Sequence, residues 1–221
     1  MSTLILTLLL AAAAVWALAP VLVVALPRSQ VRLALVAGAG VGGSLCCALA
    51  GMLAIAHPTP ATISLGSWQG LGDAGVRVDA LSGLFLVLTG GVSALLFVAR
   101  FATLPHLRGK LHITALVGML ISLEAIFVAD NAFFFMAGWE GLALTFWMLV
   151  ATGYRQCFGA TDAARWTMSM TKLGGAAVLV AFLLLGTGTR SFDFADFRAH
   201  GSSLHPAPAV SYTHLTLPTK A

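Results

Sequence analysis

Hydrophobic residues in this chain come in long unbroken blocks separated by short polar punctuation. Each block approaches or exceeds the roughly 20 residues needed to cross a hydrocarbon core about 30 Å thick, and none alternates as a barrel strand does. Span length and flanking breakers predict helices at 3–26, 33–56, 79–101, 111–129, 132–151 and 163–186. The pattern thus predicts an all-α, polytopic transmembrane helical bundle of about six spans. The first block lacks a basic leader and outruns the roughly 7 to 15 residues of a secretory signal core, so it reads as a first transmembrane helix. Between the second and third spans, HPTPATISLGSWQGLGDAGVRV is rich in Pro, Gly and Thr, and TISLGSW within it suits a short strand outside the bilayer. After Gly186 the chain turns polar without a sustained period, and SFDFADF reads as a short interfacial amphipathic piece. The expected division is a transmembrane domain over 1–186 and a polar tail over 187–221, the tail non-native in character from about 210.

Composition sharpens this reading. With 59% hydrophobic and 9% charged residues, and a mean hydropathy of +0.94, the chain has too few polar side chains to clothe a soluble globule, where about 25% are charged. The formal charge is +4, but the twelve Lys and Arg residues are scattered among short loops without a patch or stripe, which excludes a nucleic-acid partner. Arg28 and Arg32, then Arg100, Arg108 and Lys110, then Arg155 and Arg165 all fall on one side, against Asp73, Arg77, Asp79 and Asp130 on the other. The positive-inside rule then puts both termini on the non-cytoplasmic side of a cell inner (plasma) membrane. Cys46 and Cys47 lie inside a span and Cys157 stands alone in a loop, so neither a disulfide framework nor a metal spacing is present. No nucleophile, metal set or cofactor ligand gathers at one depth, so no catalytic residue is assigned.

The candidate chemistry lies in the charges within the apolar blocks. A bare charge near the bilayer centre costs at least roughly 2.5 to 3.5 kcal/mol, so such residues are paired, inward-facing and commonly used to move ions or protons. Glu140 sits in FFFMAGWEGLALTFWMLVA and Lys172 in the next span. Measured from the cytoplasmic side at 1.5 Å per residue, they lie at depths of roughly 16 and 14 Å. Antiparallel neighbours joined by a short loop can pair these groups, and the pair would couple helix position to the proton affinity of the carboxyl. The alternative is a static ion pair that only fixes helix register. Arg165, Ser169 and Lys172 recur at helical spacing, which marks a candidate hydrated access path from the cytoplasmic edge; Ser169 also suits a bond to its own helix backbone. Glu124, on the fourth span, either extends a polar relay outward or approaches the outer headgroups. Asp130 and Asp79 suit helix N-termini, and His106 and His112 suit solvated or headgroup-facing positions.

These segments resemble a known family. VDALSGLFLVLTG, ADNAFFFMAGWEGLALTFWMLVATG and TKLGGAAVLVAFLLLG resemble the proton-conducting antiporter-like subunits of energy-converting respiratory complexes. That family includes the large membrane subunits of NADH-quinone oxidoreductase, hydrogenase-4 component B with the related formate hydrogenlyase components, and multisubunit Na+/H+ antiporters. The D-x-L-S opening of the third span and the A-D-N-x-x-x-F-x-x-x-W-E block carry the match over 78–186. The resemblance implies a bundle that is part of a larger inverted-repeat fold, with Glu140 at the family's coupling glutamate. It also implies a chain longer than this one, of which the present sequence reads as an N-terminal fragment lacking a lysine-bearing seventh span. Implied partners are other membrane and peripheral subunits, the lipid bilayer and protons. No cofactor is expected on this chain; NADH, quinone and iron-sulfur centres would belong to partner subunits. The hydrogenase-4 branch commonly has a histidine where Lys172 stands. The sodium/proton branch and a purely structural membrane subunit are the alternative readings.

Overall fold

The computed structural model describes residues 1–27, 29–68, 72–103, 110–153 and 160–200. Arg28, His106, Arg108, Arg155, Cys157 and the stretch from 210 lie outside the described residues. Six helices are long and apolar enough to cross a membrane: α1 (Ser2–Ala25), α2 (Gln30–Ala56), α3 (Ala80–Thr103), α4 (Lys110–Val128), α5 (Ala132–Gly153) and α6 (Ala160–Thr189). Their bounds fall within three residues of the expected spans, because Pro, Gly or charged residues flank each block. Between α2 and α3, strands β1 (Ala61–Trp68) and β2 (Gly72–Val78) form an antiparallel hairpin pairing Ala61 with Val78 and Ile63 with Val76. The expected strand is β1; its partner GDAGVRV carries no such signal in sequence. A short helix, α7 (Phe194–His200), follows α6.

Helix packing runs α1 against α2 and α4, α2 against α3, α4 against α5, and α5 against α6. In a bilayer, apolar area alone does not drive helices together, so close backbone approach and buried hydrogen bonds must do so. Both occur between α1, α2 and α3. A Cβ placed on Gly51 would meet Gly83 O at 2.5 Å, so α2 and α3 touch backbone to backbone there. Trp16 of α1 is fully buried, and its indole N–H donates to Gly40 O at 3.1 Å and to Ser44 Oγ at 3.3 Å. Ser93 of α3 donates to the same Ser44 hydroxyl at 2.8 Å, so one small polar knot joins three helices.

At the hairpin end, Asp79 opens α3 as expected. Its Oδ1 accepts from Ser82 N–H at 3.0 Å and from the Ser82 hydroxyl at 3.2 Å. Partial burial pushes the Asp79 carboxyl upward, but the Ser82 hydrogen bonds and the Arg77 cation outweigh it, and the net position is below the usual carboxylate range.

The turn between α4 and α5 is held from two sides. Its Asp130 N–H donates to Gly75 O of β2 at 3.1 Å. On the other side, Arg190 takes a left-handed backbone conformation after α6 and turns the chain back. Ala132 N–H then donates to Phe192 O at 2.9 Å, and Phe194 N–H donates to Asp130 O at 3.1 Å. Asn131, 2% exposed, completes the clamp: its Nδ2 donates to Asp193 Oδ1 at 2.8 Å, while its Oδ1 accepts from Phe133 N–H at 2.8 Å. The cap of α5 is therefore Asn131 and not the expected Asp130. Asp130 instead faces Arg198 of α7 at 3.5 Å.

Candidate functional site

The α5 sequence GWEGLALT sorts its residues between two neighbours. Gly138, Gly141 and Thr145 lie against Ile126, Ser122 and Gly118 of α4, so small groups let those two helices approach closely. The residues between them, Trp139 and Glu140, turn toward α6. Glu140 Oε2 accepts a hydrogen bond from Lys172 Nζ, and the two form an ion pair across α5 and α6. Matching depth on antiparallel neighbours is the reason they meet. The pair is not enclosed, however: the side chains of Lys172 and Glu140 are 50% and 46% exposed. It stands on a face that the described residues leave uncovered.

Trp139, part of the quoted W-E block but given no role there, and Gly175, one turn beyond Lys172, shape this pair. A Cβ placed on Gly175 would lie 2.9 Å from Trp139 Nε1, 3.2 Å from Trp139 Cδ1 and 3.5 Å from Glu140 Oε1. The bare glycine thus provides the seat on which the Trp139–Glu140 dipeptide rests. Trp139 also stacks on Phe135 at 6.2 Å, and Phe135 meets the Phe182 ring edge-on at 5.6 Å and the Phe194 ring at 6.2 Å. An aromatic column therefore runs from beside Glu140 to the clamp at the α4–α5 turn. A Trp-Glu dipeptide opposite a glycine in the next span is the signal that could have pointed to this seat.

The remaining candidates stand apart. Arg165 pairs with Asp162 at 3.6 Å in the first turn of α6, both side chains well exposed. Ser169, also exposed, lies one turn nearer Lys172 along the same face. Among the described residues, no hydrogen bond or ion pair joins Arg165 or Ser169 to the Glu140–Lys172 pair. Glu124 of α4 is 6% exposed and faces α1, whereas Glu140 faces α6. The structure therefore brings Glu140 and Lys172 together and leaves Glu124 on the other side of the α4–α5 layer. Among the described residues, no three His, Cys, Asp or Glu side chains gather closely enough to hold a metal ion.

Comparison with known proteins agrees with the resemblance read in the sequence. The chain is 33% identical over 144 residues to hydrogenase-4 component B of Escherichia coli, covering 62% of this chain and 21% of that protein. It is 30% identical over 123 residues to NADH-quinone oxidoreductase subunit L of Mycobacterium tuberculosis, covering 54% of this chain and 19% of that protein. The chain thus spans about a fifth of the length of the curated relatives it matches. No known family's profile matches it. In fold, it resembles a chain of the archaeal membrane-bound sulfane sulfur reductase, a respiratory membrane complex, with a TM-score of 0.71 at 19% identity over 93% of this chain and 41% of that one. It likewise resembles a chain of the Mrp complex of a Dietzia species, with a TM-score of 0.72 at 19% identity over 92% of this chain and 22% of that one. The helical bundle therefore shares its fold with chains of these two membrane complexes, and the chain is a multi-pass membrane protein.

Proposed function

We propose that this chain is part of a proton-translocating membrane subunit of a respiratory complex of the NADH-quinone oxidoreductase or hydrogenase-4 kind. In this reading, Glu140 is the carboxyl that takes up and releases the proton, and Lys172 is the cation that governs it. The observation that carries the reading is the Glu140–Lys172 ion pair, formed between two adjacent helices long and apolar enough to be spans. A charge at the depth that the register gives these residues is costly to keep without a partner. An ion pair shared by two helices ties their relative position to the charge that each partner carries.

The face bearing Arg165, Ser169 and Lys172 supplies access from the cytoplasmic edge. Redox chemistry would take place in partner subunits, with NADH, quinone and iron-sulfur centres held there and coupled to this chain through the membrane. The chain would lie in the plasma membrane with its N-terminus outside the cytoplasm, in keeping with the side on which its basic loops fall.

The test is Glu140→Gln in the parent complex, read as proton pumping into inverted membrane vesicles driven by electron transfer, with assembly checked by native electrophoresis. We expect assembly to be retained and pumping to fall by about a hundredfold or more, the scale of losing a positioned acid-base group. Unchanged pumping with normal assembly would reduce the pair to a packing device.

A further inference from the structure

We propose that the cavity between α1, α4 and the β-hairpin is a binding site for a lipophilic amine, with Glu124 as its polar anchor. This goes beyond the transport reading and does not depend on the Glu140–Lys172 pair.

The cavity has a volume of about 250 Å³, and its lining includes Leu9 and Ala13 of α1, Val76 of β2, Ile121 of α4 and Phe134 of α5. An apolar void of roughly 150 Å³ already admits benzene, so this one accepts several carbon atoms more. Among the described residues of the lining, Glu124 is the one polar side chain. It is 6% exposed, and its Oε2 is buried without a hydrogen-bond partner. None of the described ion pairs includes it.

An orphaned carboxyl oxygen in such a wall costs free energy whichever charge it carries, unless a donor reaches it. Water is a poor candidate, because a retained water needs two to four polar partners and this wall offers one carboxyl. The donor must therefore arrive on an apolar body. A basic nitrogen meets the requirement in either protonation state, since amine and carboxyl can share one proton and hold it as a charge-assisted bond. The way in is lateral: Leu10 and Ile63 belong to the lining and are 71% and 46% exposed, so the cavity opens on an apolar flank where the hairpin meets α1. Two sources fit this chemistry, a free alkylamine dissolved in the membrane and the headgroup amine of a bilayer lipid.

The experiment uses the full chain in phosphatidylcholine nanodiscs and a dodecylamine carrying a diazirine in its chain, with the labelled peptides mapped by mass spectrometry. We expect saturable labelling of the α1 and α4 peptides that line the cavity. Dodecylamine should compete at least about tenfold better than dodecyl methyl ether, which has the same body and no donor. Glu124→Gln, which keeps the side-chain shape, should cut the amine's advantage by a similar factor, and Ala13→Phe should fill the space and abolish labelling. Repeating the labelling with phosphatidylethanolamine in the discs distinguishes the sources: loss of labelling assigns the site to the headgroup amine, and persistence assigns it to the free amine. Equal competition by the ether, labelling that does not saturate, or an amine preference that survives Glu124→Gln would overturn the proposal and leave an unselective lipid-facing groove.

Discussion

Replacing Asn131 with Ala isolates the clamp that holds the start of α5. Two interactions disappear together: the cap from Oδ1 to Phe133 N–H and the bond from Nδ2 to Asp193, each 2.8 Å long. A lost cap costs about 0.5 to 2 kcal/mol. A hydrogen bond to a charged group is worth about 1.5 to 3 kcal/mol, and Asn131 is 2% exposed, so water does not readily replace either one. Their sum, discounted for relaxation, is about 2 to 4 kcal/mol of local stability. That corresponds to roughly 30-fold or faster opening of the amides behind the clamp, at 1.4 kcal/mol per factor of ten.

Hydrogen exchange of the chain in nanodiscs, read by mass spectrometry, should show this at Ala132 and Phe194, whose N–H groups donate across the clamp. Asn131→Asp makes a sharper test. The cap oxygen remains, but two carboxylates now face each other, so protection should be lost at neutral pH and recover on acidification as one carboxyl takes a proton and donates it. Exchange within about twofold of the parent in Asn131→Ala would refute the reasoning, because it would mean that the backbone bonds alone hold the turn.

Gly175→Ala should disturb the Trp139 seat, since the added methyl would lie 2.9 Å from the indole nitrogen. Overpacking of this kind costs about 1 to 3 kcal/mol. A shifted Trp139 emission, isolated in a background where the other tryptophans are Phe, checks it. Asp79 adds a pH dependence. Its folded carboxyl sits below the ordinary range, so its contribution is full above the unfolded value and is lost as pH falls through the lower folded one. Lower protection of the Ser82 amide on acidification, with exchange referred to the intrinsic rate at each pH, is the expected signature, and Asp79→Asn should abolish it.

Much of this was legible in the sequence because a bilayer leaves few choices. Blocks of apolar residues could only become spans, and Glu140 and Lys172 could be matched by depth because rise per residue is fixed. What the chain could not disclose depends on contacts between distant segments. GDAGVRV has little strand character of its own and becomes β2 by pairing with β1. Asp130 and Asn131 are both good capping residues, and only the arrival of Asp193 and Arg198 from beyond α6 assigns one to the cap and the other to the surface. The exposure of the ion pair was hidden as well, because a helix face is open or covered according to its neighbours rather than its own residues.

The clamp also has a mechanical consequence. The backbone bonds at Ala132 fix α5 at one end to the chain that follows α6, which makes that end a pivot. Glu140 lies eight residues along, a lever arm of roughly 12 Å, so a tilt of only about 10° would carry its carboxyl about 2 Å sideways. A displacement of that size is enough to part it from Lys172 without unwinding a single turn, so the seating of Gly138 and Gly141 on α4 sets how easily the pair opens.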